Sequence, residues 1–176
     1  MFVPYYYSCD GYNDEGWGCV YRCAQAMLHT LGETVPSLPD MMSQLGIAYT
    51  PENVKLMWIE PIDVKQLVNA PTELAIYTEH ESHSSRMLRT TLEDADVRLH
   101  TGEDLIAHLR RGLAKGPVLV DDGIRSYLLT EDLGEIGFAL MDPHRKRHQM
   151  RIAPPEWFTG PLSFLWMVLA FTTPTS

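Results

Sequence analysis

Asp14-Glu15-Gly16-Trp17-Gly18-Cys19-Val20-Tyr21-Arg22 runs from an acidic pair through a glycine-flanked tryptophan to a cysteine. Two glycines flank a tryptophan, and a thiol follows where a helix begins. From Cys19 to Leu31 almost nothing breaks a helix, while Gly16 and Gly18 disfavour one upstream. A cysteine at a helix N-terminus meets the positive end of the helix dipole, which favours the nucleophilic thiolate. Glycines beside it let a substrate backbone approach closely. Thiol chemistry also requires a histidine and an acid to orient it. Those residues stand far downstream, in Met141-Asp142-Pro143-His144.

The chain has 176 residues, enough for one domain with a real core, and a single domain over 1–176 is expected. Hydrophobic content of 45% and charged content of 21% are ordinary for a globular protein. The net charge of −9 argues against nucleic-acid binding, which needs a basic stripe. Three cysteines argue against a disulfide framework and for a reducing compartment. Met1 to Tyr7 lacks a basic n-region and a long apolar h-region. The apolar run Leu162 to Phe171 is about half of the ~20 residues needed to span a bilayer, and reads as a buried strand. The expectation is a cytoplasmic monomer without direct membrane insertion, metal or cofactor.

Helical spacing predicts a helix over 19–31, with Cys23, Ala26, Met27 and Thr30 along one apolar face. Leu38 to Leu45 reads as a short helix capped by Ser37 and closed by Gly46, and Ile62 to Val68 as a third. Glu73 to Tyr77 looks like a strand, and polar Glu79 to Ser85 a loop. Thr101 to Leu113 is an amphipathic helix with Thr101 as N-cap. Strands are predicted at Pro117–Val120, Ser126–Thr130 and Gly137–Met141, with Leu162–Phe171 last. Helices first and strands later argue for α+β with an antiparallel sheet.

On an extended chain, residues two apart face one side, so Asp142 and His144 both reach the site, with Pro143 stiffening the chain between them. A helix opened by Cys19 and packed on this strand brings thiol and imidazole together. The Cys19 backbone N–H is one candidate oxyanion donor, and a phenol is another. The residues alone do not choose among Tyr5, Tyr6, Tyr7 and Tyr12. Cys23, on the apolar helix face, reads as a buried small hydrophobe. A zinc site from Cys9, Cys19, Cys23 and a histidine lacks the usual Cys-x-x-Cys pairs. His80 and His83 read as residues of a solvated loop.

The run from Tyr7 to Gln25 resembles the signature of the ubiquitin-fold-modifier-specific cysteine proteases. It has an aromatic approach, Asp10-Gly11, the acidic pair Asp14-Glu15, Gly-Trp-Gly-Cys, then Tyr21-Arg22 and Gln25. Val35-Pro36-Ser37, Gln44, Trp58-Ile59 and Leu140-Met141-Asp142-Pro143-His144 follow in the family's order. The resemblance implies a papain-like α+β fold, with the nucleophile at the N-terminus of a helix packed on a mostly antiparallel sheet. It implies a thiol peptidase that matures the modifier precursor or removes the modifier from conjugates, cutting after its C-terminal glycine. Cys19 matches the nucleophile, Asp142 the orienting acid, His144 the general base and Tyr7 the oxyanion tyrosine. Trp17 and Gly18 match residues lining the groove for the modifier's C-terminal Val-Gly. The implied partner is the ubiquitin-fold modifier with its conjugates.

The chain departs from that pattern in two places. Ser126-Tyr127 stands where the family often has a histidine, and Arg145-Lys146-Arg147 follows His144 in place of Tyr-Thr-Gly. The autophagins, which share Gly-Trp-Gly-Cys, an Arg-Cys pair, a following Gln and Asp-Pro-His, are the second enzymatic resemblance. Tyr21 and the compact spacing from Tyr7 to Cys19 favour the first. A non-catalytic modifier-binding relative is the third alternative, and the presence of Cys19, Asp142 and His144 weighs against it.

Overall fold

In the computed structural model, the described residues are 2–78, 97–101, 105–159 and 165–173. The first three helices precede all of the described strands, and two further helices lie among the strands. Helix α1 spans Cys19–Thr30, α2 Leu38–Gln44 and α3 Val64–Leu67, with single 3-10 turns at Val54–Leu56 and Pro61–Asp63. Strand β1 (Thr72–Thr78) follows, then β2 (Val97–Thr101), helix α4 (Leu105–Leu113), β3 (Val118–Asp121), β4 (Ser126–Asp132) and β5 (Phe138–Met141). A third 3-10 turn (Gly134–Ile136) separates β4 from β5, and strand β6 (Met150–Ala153), the short helix α5 (Glu156–Thr159) and β7 (Trp166–Phe171) complete the described elements.

The strands form one seven-stranded sheet in the order β2-β1-β7-β3-β4-β5-β6. Neighbours pair antiparallel except β1 and β2, which run parallel with Leu74 opposite Val97. This is the expected α+β class with a mostly antiparallel sheet.

The strand alternation divides the core in two. Met167, Leu169 and Phe171 of β7 join one buried cluster with Leu119, Leu128, Met141 and the first three helices. Trp166, Val168 and Ala170 join the other, with Leu105 and Leu109 of α4 and Phe158 of α5. Every residue of β7 is therefore buried, which is why its sequence is continuously apolar.

Helix α1 is buried from Cys19 through Leu28, so the one-sided apolar face read from the sequence is too narrow. A helix covered on all sides is a core element. Its two polar interior residues, Arg22 and Gln25, are buried because partners from the preceding loop and from Pro36 satisfy them. Helix α2 starts as read, with the Ser37 hydroxyl accepting from the Asp40 N–H at 3.2 Å.

Several boundaries differ from the sequence expectations. Thr101 is the last residue of β2 and does not cap a helix. Val97-Arg98-Leu99-His100-Thr101 alternates apolar and polar side chains, a strand pattern of which the sequence expectation took only Thr101, and that for the helix. The last strand begins at Trp166, and residues 160–164 lie outside the described residues, as does the polar loop expected over 79–85. Strand β6 and helix α5 were not anticipated.

Candidate active site

The site lies where the start of α1 meets the chain leaving β5. Asp14 prepares that helix start. Its carbonyl accepts the N–H groups of Trp17 and Gly18 at 3.1 and 2.9 Å. Gly16 sits at φ +86°, a conformation that glycine adopts without penalty, and the chain reverses there into α1. Gly18 has a different reason to be glycine. A Cβ at this position would stand 1.9 Å from Asp14 Oδ2, so the Asp14 carboxylate occupies the space that any side chain would need.

Asp14 is fully buried, and so is Arg22, one turn into the helix. The guanidinium grips both carboxylate oxygens, Nε to Oδ2 and Nη2 to Oδ1, each at 2.8 Å. Arg22 also bonds Asp10 at 2.9–3.0 Å, Gln25 Oε1 at 3.0 Å and the Tyr12 carbonyl at 3.3 Å. Planar bidentate pairing of this kind suits arginine and fixes geometry. The loop 8–14 is thereby pinned to the helix that carries Cys19. Sequence reading noted Asp10, Asp14, Arg22 and Gln25 as motif letters without seeing this network. The signal was an arginine inside an otherwise apolar helix, which requires buried acidic partners.

Asp142 and His144 come together by a turn and not by an extended segment. The Arg145 N–H points back to the Asp142 carbonyl at 3.4 Å, and Pro143 takes the corner where its fixed φ is favourable. Asp142 Oδ1 then accepts twice from His144, from the ring Nδ1 at 2.7 Å and from the backbone N–H at 3.1 Å. Burial raises the cost of charge on Asp142, yet the bonds from His144 and Arg151 hold its pKa down to about 2. Burial likewise opposes charge on His144. The Asp142 bond and the Cys19 thiol outweigh it and push the imidazole up to about 9.

His144 Nε2 is buried and makes no aligned hydrogen bond, and the Cys19 thiol is the neighbour that bears on its charge. The ring is clamped edge-on between two phenols. Tyr7 lies 5.4 Å away and Tyr127 5.1 Å, centroid to centroid. Tyr7 is buried and anchored through its N–H to the Pro143 carbonyl at 2.9 Å. Burial first, then the proximity of Cys19, raises the Tyr7 phenol well above its ordinary range, so its hydroxyl keeps its proton. Of the other candidate tyrosines, Tyr5 bonds His29 at 3.0 Å and Tyr12 is exposed. Tyr7 meets both Cys19 and His144.

Trp17 is buried with its ring edge-on to Tyr21 at 5.8 Å, and it also walls a narrow cavity beside Cys19. Trp58, Asp121, Gly123 and Ile124 line the same cavity, of about 20 Å³. Trp58 and Ile124 are exposed at its rim. Cys23 is wholly buried, and its thiol is pushed well up, first by burial and then by Cys19. Among the described residues no cluster of His, Cys, Asp and Glu has the geometry to hold a metal ion, and no helix is long and apolar enough to cross a membrane.

A thiol opening a buried helix, facing a histidine and its acid at the end of an antiparallel strand, defines the papain-like fold class. Comparison with known proteins adds the particular relatives. No family model matches the chain. Ufm1-specific protease 1 of Mus musculus is 40% identical over 47 residues, 25% of this chain and 22% of that protein. The crystal structure of UfSP from C. elegans matches with a TM-score of 0.59 at 16% identity, covering 98% of this chain and 33% of that one. The chain thus spans about a third or less of the length of these relatives. It resembles the Ufm1-specific proteases in sequence over the shorter stretch and has the UfSP fold over nearly its whole length.

Proposed function

We propose that this chain is a cysteine peptidase that cuts a ubiquitin-fold modifier after its C-terminal glycine, maturing the precursor or releasing the modifier from conjugates. The observation that carries the reading is Cys19 at the start of α1 beside the Asp142–His144 pair. In this mechanism Cys19 Sγ attacks the scissile carbonyl carbon, and the carbonyl oxygen takes the negative charge. The Cys19 N–H and the Tyr7 hydroxyl are the donors to that oxygen. His144, charged through neutral pH, passes its proton to the leaving amine and then draws one from water to hydrolyse the thioester. Asp142 holds the imidazole in the tautomer that leaves Nε2 toward sulfur. Trp17 and Gly18 form the near wall against which the two terminal residues of the modifier lie.

The likeness to Ufm1-specific protease 1 supports a Ufm1-type substrate over other ubiquitin-like proteins. The test is incubation with two modifier precursors, one Ufm1-type and one autophagy-type, with the products weighed by mass spectrometry. Trimming of the Ufm1-type precursor to its terminal glycine supports the reading. Trimming of the autophagy-type precursor alone, or of neither, contradicts it.

A further inference from the structure

The acid of the site has a second arm that the thiol chemistry leaves unused. Asp142 Oδ1 faces His144, while Oδ2 receives Arg151 Nη1 at 2.6 Å and lies 3.4 Å from Arg145 Nε. The two arginines differ in footing. Arg145 sits on the turn with its side chain half exposed. Arg151 belongs to β6, where the ladder fixes its backbone opposite Leu140. Its neighbours Met150 and Ile152 are exposed, whereas Arg151 shares a face with buried Ala153 and turns toward Asp142. The edge strand thus exposes its apolar residues and directs its charge to the site.

We propose that Arg151 is a positioning residue, whose guanidinium fixes Asp142 Oδ2 so that Oδ1 stays aimed at His144 Nδ1. The proposal rests on the peptidase reading above. A carboxylate with only 4% of its side chain exposed needs partners on both oxygens to remain ionised in one orientation. His144 holds Oδ1 through Nδ1 at 2.7 Å and its backbone N–H at 3.1 Å, and Arg151 Nη1 at 2.6 Å on Oδ2 restrains rotation about the carboxyl bond from the other side. The groups facing Asp142 are His144 and Arg145 on its own turn, Arg151 on β6, Tyr127 on β4 and Cys23 on α1. Arg151 and Arg145 are the guanidinium groups among them, and both face Oδ2.

The sign of one shift separates positioning from charge alone. Removing a positive charge without moving Asp142 strengthens the hold of Asp142 on the imidazolium and moves the His144 titration up. Letting Asp142 rotate weakens that hold and moves the titration down. The experiment compares wild type, Arg151→Met and Arg151→Lys by NMR titration of the His144 ring in a Cys19→Ser background. In parallel, kcat/KM is measured against pH with the active thiol and a modifier precursor.

The expected result is a downward shift of the His144 titration in Arg151→Met, largely restored in Arg151→Lys. The expected fall in kcat/KM for Arg151→Met is about tenfold, the kinetic equivalent of one charge-assisted hydrogen bond. An unmoved or upward-moved titration overturns the proposal, whatever the kinetics. A downward shift in a chain that cuts no precursor keeps the proposal as geometry and sinks the peptidase reading instead.

Discussion

Replacing Gly18 with alanine tests why the residue before the thiol lacks a side chain. The added Cβ would lie 1.9 Å from Asp14 Oδ2 and 2.5 Å from Asp14 Cβ and Cγ, distances that no rotation of alanine relieves. The carboxylate must leave its place, and three bonds go with it: two from Arg22 and the Ser8 N–H at 2.8 Å. Breaking a buried ion pair by removing one partner costs about 3–5 kcal/mol. Asp10 and Gln25 remain on Arg22, so the low end applies, about 3 kcal/mol. For a chain of this size that is a drop of roughly 6–12 °C in Tm. The assay is thermal unfolding followed by near-ultraviolet circular dichroism, with modifier cleavage measured well below Tm. A Tm within about 2 °C of wild type, the smallest shift expected for 1 kcal/mol, would refute the packing argument. Lost cleavage at unchanged Tm would assign Gly18 to the substrate groove alone.

Other outcomes follow from the same geometry. Tyr7→Phe should lower kcat by about 10²–10³ with little change in KM, since the hydroxyl meets charge only as it develops; an unchanged kcat removes Tyr7 from the mechanism. Activity should decline as pH rises through about 9, where the raised His144 loses its proton. The stability from that proton, with the folded pKa above its ordinary value, is complete below 6.5 and lost through about 9. Asp142 has the opposite sign: its contribution is present above 3.8 and lost as pH falls through about 2. Paired pH-dependent melts of wild type and His144→Gln separate the alkaline loss, and identical curves would contradict it. A substrate series with Gly, Ala or Val on the acyl side of the cut should show Ala and Val cleaved many times more slowly; equal rates would make Trp17 a packing residue only.

Helix α1 and strand β7 were legible because their signals are local. An uninterrupted helix former after Gly-Trp-Gly-Cys and a six-residue apolar run leave few alternatives. The cysteine, aspartate and histidine were legible as residue types, and their order along the chain fits the resemblance. Their meeting was read from an extended segment, whereas the structure folds Asp142–Arg145 into a turn, because proline favours the corner and Asp142 satisfies the His144 N–H with its carboxylate and the Arg145 N–H with its carbonyl. Strand β2 was missed because it pairs parallel with β1, and a parallel pair carries no hairpin turn signal between its strands. Strand β6 was missed because its outward apolar and inward charged residues invert the usual pattern. The Arg22 network was signalled only by the arginine inside α1; which partners it meets depends on the side chains the fold buries together, and no spacing rule encodes that.

The most direct test of the central claim uses a Ufm1-type modifier carrying an electrophile in place of its terminal carboxylate. The chain is incubated with this probe, digested, and the modified peptide sequenced by mass spectrometry. One modifier-derived adduct on Cys19, absent after Cys19→Ser and strongly slowed after His144→Gln, is the predicted result. An adduct on Cys9 or Cys23, or none on a folded chain that still binds the modifier, would contradict it.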